Sequence, residues 1–296
     1  MSRRPSVPNL YEGYFINLDR SVDRREKFEK QIETLGLSEI YRRFPAVDGS
    51  TLNPTMRLKA RSVGAFLSHR NVLVEAKDKR PFVHILEDDT IFSEQMAPAI
   101  CFAIERRLFD RFDVIFTDIA VQADLNFMRV LEANFEGFSQ KRIGDFEPKD
   151  VTLIDLKRFG FAGLPSYVID ARCIDRLVAR YDNEIRRGPN IPIDLFVRKE
   201  IYEGRLRAAC FFPFLSTVNF DDVVVTTTGR DDEIGDTRLV LALLRYAYFI
   251  GADLEGRAVP LLDEIIRRAK LNIKDPHRTF LTHLLGFILS NSFKVL

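Results

Sequence analysis

The chain reads as an α/β protein built on a mostly parallel sheet, and three observations carry that reading. Apolar runs of strand length alternate with helical patterns from Tyr14 to Phe212. Acidic and amide residues gather where several of those runs end, at Asn17-Leu18-Asp19, Glu87-Asp88-Asp89 and Asp118. In open α/β sheets the carboxyl ends of the strands are where ligands bind. The composition, 46% hydrophobic and 29% charged over 296 residues, is that of an ordinary globular protein with room for one large α/β domain or two smaller ones.

The elements follow in order. Tyr14-Phe15-Ile16-Asn17-Leu18 is a first strand, followed by a charged helix from Ser21 or Asp23 to about Leu35 that Gly36 stops; Phe28, Ile32 and Leu35 form its apolar face. Phe44-Pro45-Ala46-Val47 is a short extended segment ending in the turn signal Asp48-Gly49. A helix over Gly64–Lys77 turns Phe66, Leu67, Val72 and Leu73 inward. Pro81–Leu86 is a buried strand with His84 in the core, and a helix from about Ser93 to Leu108 comes next. Phe112–Phe116 is a strand ending near Thr117-Asp118, and the stretch from Val121 to Asp150 mixes loop and hairpin. Val151–Leu156 and Ala162–Ile169 read as strands, the latter leading into a helix from Ala171 to about Tyr181. A Pro-containing loop, Gly188–Pro192, precedes a short helix to Tyr202, and Leu206–Phe212 is a late strand. A domain of residues 10–235 is therefore expected, followed by a helical region over 236–296. In that region Leu239, Ala242, Leu243, Tyr246 and Ile250 fall at helical spacing, as do Leu281, Leu284, Leu285 and Ile288. Nine Lys/Arg against five Asp/Glu over 238–296 give a net +4. Such stripes are more often core than membrane contacts, so packing on the core or on a second subunit leads, and peripheral contact with an anionic membrane comes second.

Charge and cysteine usage exclude some classes. Lys and Arg number 44 against 43 Asp and Glu, with none of the basic excess of a nucleic-acid binder. Cys101, Cys173 and Cys210 are widely spaced and odd in number, which suits a reducing compartment better than a disulfide framework. The first residues carry Arg3 and Arg4 without an apolar core of signal-peptide length, and no apolar run reaches membrane-span length, so a cytoplasmic protein is expected.

The triplet Glu87-Asp88-Asp89 is the sharpest chemical signal. Three consecutive carboxylates at a strand tip repel one another and call for a cation or hydrogen-bond donors. Hard oxygen ligands suit Mn²⁺ or Mg²⁺, which bridge a few carboxylates to substrate phosphates. The competing reading is a solvated loop, or a helix start capped by Asp88, Asp89 or Thr90.

Four stretches together, Phe15–Arg25, Phe44–Gly49, Gly64–His69 and Ile85–Asp89, resemble glycosyltransferase family 25 in order and spacing. That family includes lipooligosaccharide galactosyltransferases and is related to the collagen galactosyltransferases. Gly163–Ile169 and Ile191-Pro192-Ile193-Asp194 are similar to further family segments, and the likeness spans about residues 13–225. The chain departs from the pattern where Phe66 or Leu67 stands in place of a Cys before Ser68-His69, and residues 236–296 fall outside it.

The resemblance implies a GT-A-type fold, a UDP-sugar donor, most often UDP-galactose, and transfer with inversion to a cell-envelope glycan. It implies Asp89 as a direct metal ligand, with Glu87 or Asp88 helping through water or the ribose. Asn17, Leu18 and Asp19 would meet uracil and ribose, Arg24 or Arg25 phosphate, and Asp48 the nucleotide if it is more than a turn residue. Ser68 and His69 would touch the donor or brace the site. Asp194 is the candidate base for the acceptor hydroxyl, weighed against a helix N-cap, and Asp118 is the runner-up. A non-catalytic sugar- or nucleotide-binding scaffold is the alternative, in which three repelling acids would have no use. A phosphotransferase is disfavoured because no GxxxxGK[ST] loop occurs. The collagen-modifying branch fits poorly without a signal peptide, and a homo-oligomer is compatible with the tail.

Overall fold

A computed structural model describes residues 10–52, 58–121, 126–127, 129–131, 133–134, 146–219, 242–253 and 256. In chain order these form β1 (Glu12–Asn17), α1 (Val22–Thr34), β2 (Tyr41–Pro45), α2 (Ala60–Ala76), β3 (Phe82–Glu87), β4 (Thr90–Phe92), α3 (Met96–Glu105) and β5 (Val114–Phe116). Then come β6 (Ala120–Val121), β7 (Thr152–Asp155), β8 (Phe161–Ala162), β9 (Ser166–Asp170), α4 (Ile174–Arg187), α5 (Ile193–Tyr202), β10 (Ala208–Phe212) and β11 (Ser216–Val218). Short 3-10 turns join several of them.

A seven-stranded sheet in the order β2-β1-β3-β9-β5-β10-β7 is the centre of the molecule. β1 pairs parallel with β2 and β3, and β5 pairs parallel with β10. β9 runs antiparallel between β3 and β5, and β7 runs antiparallel to β10. Five of the seven strands thus point one way, and the mostly parallel sheet expected from the sequence is mixed at β9 and β7. Two small two-stranded sheets, β4 with β11 and β6 with β8, extend beyond it.

Strand alternation splits the core in two. Phe15, Leu86 and Val168 face one layer with Phe28, Ile32, Met96 and Ile100. Tyr14, Ile16, Val83, Ile85, Tyr167 and Ile169 face the other with Phe66, Leu73, Leu177 and Phe196. Period-two side chains on strands covered on both faces require apolar residues at nearly every position, which is why these strands read as continuous apolar runs. Phe15 stacks on Phe28 with ring centroids 4.5 Å apart, and this pair docks α1 on the sheet.

Two glycines explain why the second and third motif stretches occur together. A Cβ at Gly64 would lie 2.6 Å from the Val47 carbonyl oxygen, and one at Gly49 2.0 Å from that of Ala60. No side chain fits at either position, so α2 lies directly on the turn after β2. Ser68 Oγ then accepts the Val47 N–H at 2.8 Å and donates to the Gly64 carbonyl at 2.7 Å, joining the same two segments.

Several boundaries differ from the sequence reading. After Glu87 the chain makes a turn into β4, so Asp88, Asp89 and Thr90 cap no helix. Ala162–Ile169 is not one strand: it is broken at Gly163-Leu164-Pro165 between β8 and β9. Asp194 lies in the first turn of α5, beyond the loop, and caps nothing, since the helix begins at Ile193. Most of the stretch from Val121 to Asp150 lies outside the described residues, as do Arg3, Arg4, Leu239, Leu281, Leu284, Leu285 and Ile288. Residues 242–247 are helical, and Leu243, Tyr246, Phe249 and Ile250 enter the same core layer as α1 and α3. Phe214 and residues 248–250 exchange backbone bonds of 2.8 and 2.9 Å. No helix among the described residues is long and apolar enough to cross a membrane. Cys101, Cys173 and Cys210 are all buried and free.

Candidate functional site

One edge of the sheet gathers the ends of β1, β3 and β5 and, because β9 is antiparallel, the start of β9. Asn17, Glu87, Asp118 and Tyr167 therefore come from four strands to one place. The turn carrying the triplet is fixed by its backbone. The Glu87 N–H donates to the Pro165 carbonyl at 2.8 Å, Thr90 Oγ1 donates to the same oxygen at 3.0 Å, and the Asn219 N–H donates to the Asp89 carbonyl at 3.0 Å.

The three acids have three different environments. Asp88 is held from two sides: Asn17 Nδ2 donates to one oxygen at 2.7 Å and Arg24 Nη1 to the other at 3.1 Å. Burial raises its pKa, with Asn17 and Arg24 opposing. Asn17 is itself fixed, accepting from Arg43 Nε at 2.9 Å and donating to the Ser21 carbonyl at 3.0 Å. Asp88 thus latches α1 and β1 to the triplet.

Asp89 is different. Its Oδ1 is buried without a hydrogen-bond partner among the described residues, and its other oxygen is 3.8 Å from Arg24. Burial and then the neighbouring Glu87 charge push its pKa up to about 7, with Asp88 adding to the rise and Arg24 and Arg245 opposing it. Glu87, with a side chain 41% exposed, lies 3.5 Å from His69 Nε2. His69 is buried on α2, bonds Tyr167 Oη through Nδ1 at 3.0 Å and stacks on its ring. It is therefore a brace that reaches the site through Nε2.

Asp118, fully buried, accepts from Ser216 Oγ at 2.8 Å and forms a short ion pair with Arg245. Burial raises its pKa against the pull of Arg245 and Ser216. Arg245 comes from the helical segment 242–247. It lines a cleft of about 240 Å³ together with Glu87, Asp194, Ser62, Pro165 and Val218. Asp194 is half-buried there, and its Oδ2 accepts the Gly163 N–H at 2.9 Å.

The remaining sequence candidates are arranged around this edge. Leu18 is half-buried and its carbonyl accepts the Ser21 N–H at 2.9 Å. Asp19 is exposed and pairs with Arg43 at 2.5 Å. Asp48 caps the turn after β2 by accepting from the Ser50 N–H at 2.9 Å, and it pairs with Arg20. His84 sits fully buried between Tyr41 Oη and Ser166 Oγ, both at 2.8 Å, and burial lowers its pKa to about 3, which keeps it neutral. Sequence reasoning missed Arg245, Ser216, Arg43 and Tyr167. Arg245 left a signal, as the one charged residue in the apolar stretch Ala242–Ile250.

The donors available to a hard cation are the unpartnered Asp89 oxygen and the Glu87 carboxylate. Among the described residues no three His, Cys, Asp or Glu side chains form a metal cage. Two carboxylates suit Mg²⁺ or Mn²⁺, which keeps waters and takes further oxygens from substrate phosphates. The residues present therefore fit such an ion.

No curated protein matches the chain. The sequence profile of glycosyltransferase family 25, described as an LPS biosynthesis protein, matches residues 11–197, a span that holds the triplet, Asn17, Arg24, His69 and Asp194. The chain belongs to that glycosyltransferase family.

Proposed function

We propose that the chain transfers a hexose, galactose on the family resemblance, from a UDP-sugar to a lipopolysaccharide-type glycan, with inversion and with Mn²⁺ or Mg²⁺. The arrangement would be of the GT-A type, and the work would be done on the cytoplasmic side. The observation that carries this reading is the orphaned Asp89 carboxylate beside Glu87 at the ligand-binding edge of the sheet. A buried carboxylate without a partner is costly unless something else satisfies it. Asp89 and Glu87 would hold the ion; when bound, it supplies positive charge against the diphosphate leaving group. Arg245 also faces the cleft, with its charge matched by Asp118 behind it. Asn17, Leu18, Asp19 and Asp48 would meet the nucleoside, and the Asn17–Asp88 hydrogen bond at 2.7 Å supports that wall.

In the transfer, the acceptor oxygen forms a bond to the anomeric carbon from the face opposite the diphosphate, and the carbon–oxygen bond to UDP breaks. The hydroxyl proton goes to Asp194, whose Oδ2 is anchored by the Gly163 N–H. Asp118 is the weaker candidate for base, because Ser216 and Arg245 engage both its oxygens inside the core.

Calorimetric titration with UDP-galactose, UDP-glucose and UDP-N-acetylglucosamine, each with and without Mn²⁺, tests the reading. Metal-dependent binding of one donor is expected. No binding of any donor by folded protein would leave the family's fold serving a non-catalytic scaffold or another nucleotide.

A further inference from the structure

Helix α5 serves two cavities. Its first turn gives Ile193 and Asp194 to the catalytic cleft. Leu195, Arg198, Lys199 and Tyr202, spaced i, i+3, i+4 and i+7 and so on one helix face, line a separate groove of about 490 Å³. The chain segment 156–160 forms its other wall. Arg198 and Tyr202 lie on the order of 6 and 12 Å along the axis from Asp194.

The charge in this groove is one-sided. Lys157, Arg158, Arg198 and Lys199 line it, and among the described residues no acid does. Lys157, Arg158 and Lys199 make no ion pair among the described residues, and Arg198 is oriented by donating to the Phe161 carbonyl at 3.0 Å. Elsewhere on the same helix the pattern is reversed: Glu200 is clasped by Arg180 and Arg205 at 2.7 and 2.8 Å. The whole chain carries a net charge of only +1, so four cations lining one groove are a local feature. Aromatic surface accompanies them. Tyr202 is 75% exposed, and Phe159 is held flat by stacking on Phe127 at 4.7 Å. An exposed tyrosine beside an oriented guanidinium and further cationic groups matches a ligand with sugar faces and anionic substituents.

We infer that this groove holds an anionic saccharide unit of the acceptor, bearing phosphate or carboxylate groups, while the acceptor hydroxyl lies at Asp194. The inference rests on the transferase reading for the cleft, but the groove is testable without it. De-lipidated lipopolysaccharide core oligosaccharide is titrated into the full chain, alongside the same oligosaccharide after dephosphorylation and carboxyl reduction. UDP is titrated separately. The charged form binds about tenfold or more tighter than the neutral form, and added salt erodes the difference. The double variant Lys157→Ala/Arg158→Ala, which removes two exposed cations that make no ion pair among the described residues, weakens the charged form about tenfold and leaves UDP affinity unchanged. Equal binding of the two forms, no binding of either, or an unaffected double variant overturns the inference. So does variant-sensitive binding to phosphatidylglycerol vesicles in place of the oligosaccharide, which would make the groove a membrane contact. Loss of UDP binding by the unaltered protein overturns the transferase reading instead, and the oligosaccharide titration still decides the groove.

Discussion

Buried carboxylates at the two ends of the central sheet are treated in opposite ways. Asp113, just before β5, receives Arg207 at 2.7 Å, Arg176 at 2.8 Å and the Arg207 N–H at 2.9 Å. Burial alone would raise its pKa, but Arg207, Cys173 and Arg176 together outweigh that and hold it below the usual carboxylate range. Glu200 is neutralised in the same way by Arg205 and Arg180. Asp89, at the opposite end, keeps an oxygen with no hydrogen-bond partner among the described residues and a pKa pushed up to about 7. The fold closes arginines on its structural acids, whereas the nearest approach to Asp89 is Arg24 at 3.8 Å, on its other oxygen. Perturbed carboxylates of this kind gather at functional sites.

The sharpest way to break that contrast is Asp89→Ala. It should lower transfer at least about a thousandfold and abolish metal-dependent donor binding. The protein should stay folded, because the lost group had no partner on that oxygen. Turnover and a thermal melt check both halves; near-normal turnover removes Asp89 from the metal site. Asp194→Asn comes next. The amide oxygen still accepts the Gly163 N–H, so the cleft keeps its shape, and UDP affinity should be unchanged while transfer falls about a hundredfold. Retained transfer moves the base to another residue.

Local features of this site were legible and long-range ones were not. The turn at Asp48-Gly49, the Gly64–His69 helix and the acidic strand tip each depend on residues near in sequence, and the close approach of Gly49 to Gly64 ties two of those motifs together. The fate of each acid in the triplet was not legible. Asp88 is claimed by Asn17, 71 positions away, and Asp118 by Arg245, 127 positions away. No periodicity encodes such pairings. Arg245 also lies beyond the span matched by the family, so neither motif nor family pattern pointed to it. The direction of β9 was hidden for a similar reason. A strand buried on both faces reads the same whichever way it runs, and only pairing with β3 and β5 reveals it.

The smallest effect tests the comparison through stability alone. A carboxyl whose folded pKa is raised favours the fold while protonated. Its contribution is complete below the ordinary value of 3.8 and is lost as the pH rises to about 7. Asp113 has the opposite sign. Its contribution is present above 3.8 and is lost as the pH falls through its depressed value. In metal-free protein, Asp89→Asn should therefore match the unaltered chain near pH 4 and melt at a higher temperature by pH 7. Asp113→Asn should cost about 1–2 kcal/mol at pH 7, discounted for its half-exposed arginines, with the gap closing in acid. Asp118, also raised, is common to both variants and drops out of each comparison. Melting curves of the three proteins from pH 3 to pH 8 give two differences that should slope in opposite directions. If the Asp89→Asn difference is flat across that range, the Asp89 carboxylate already has a partner inside the protein, and the contrast between the two ends of the sheet fails.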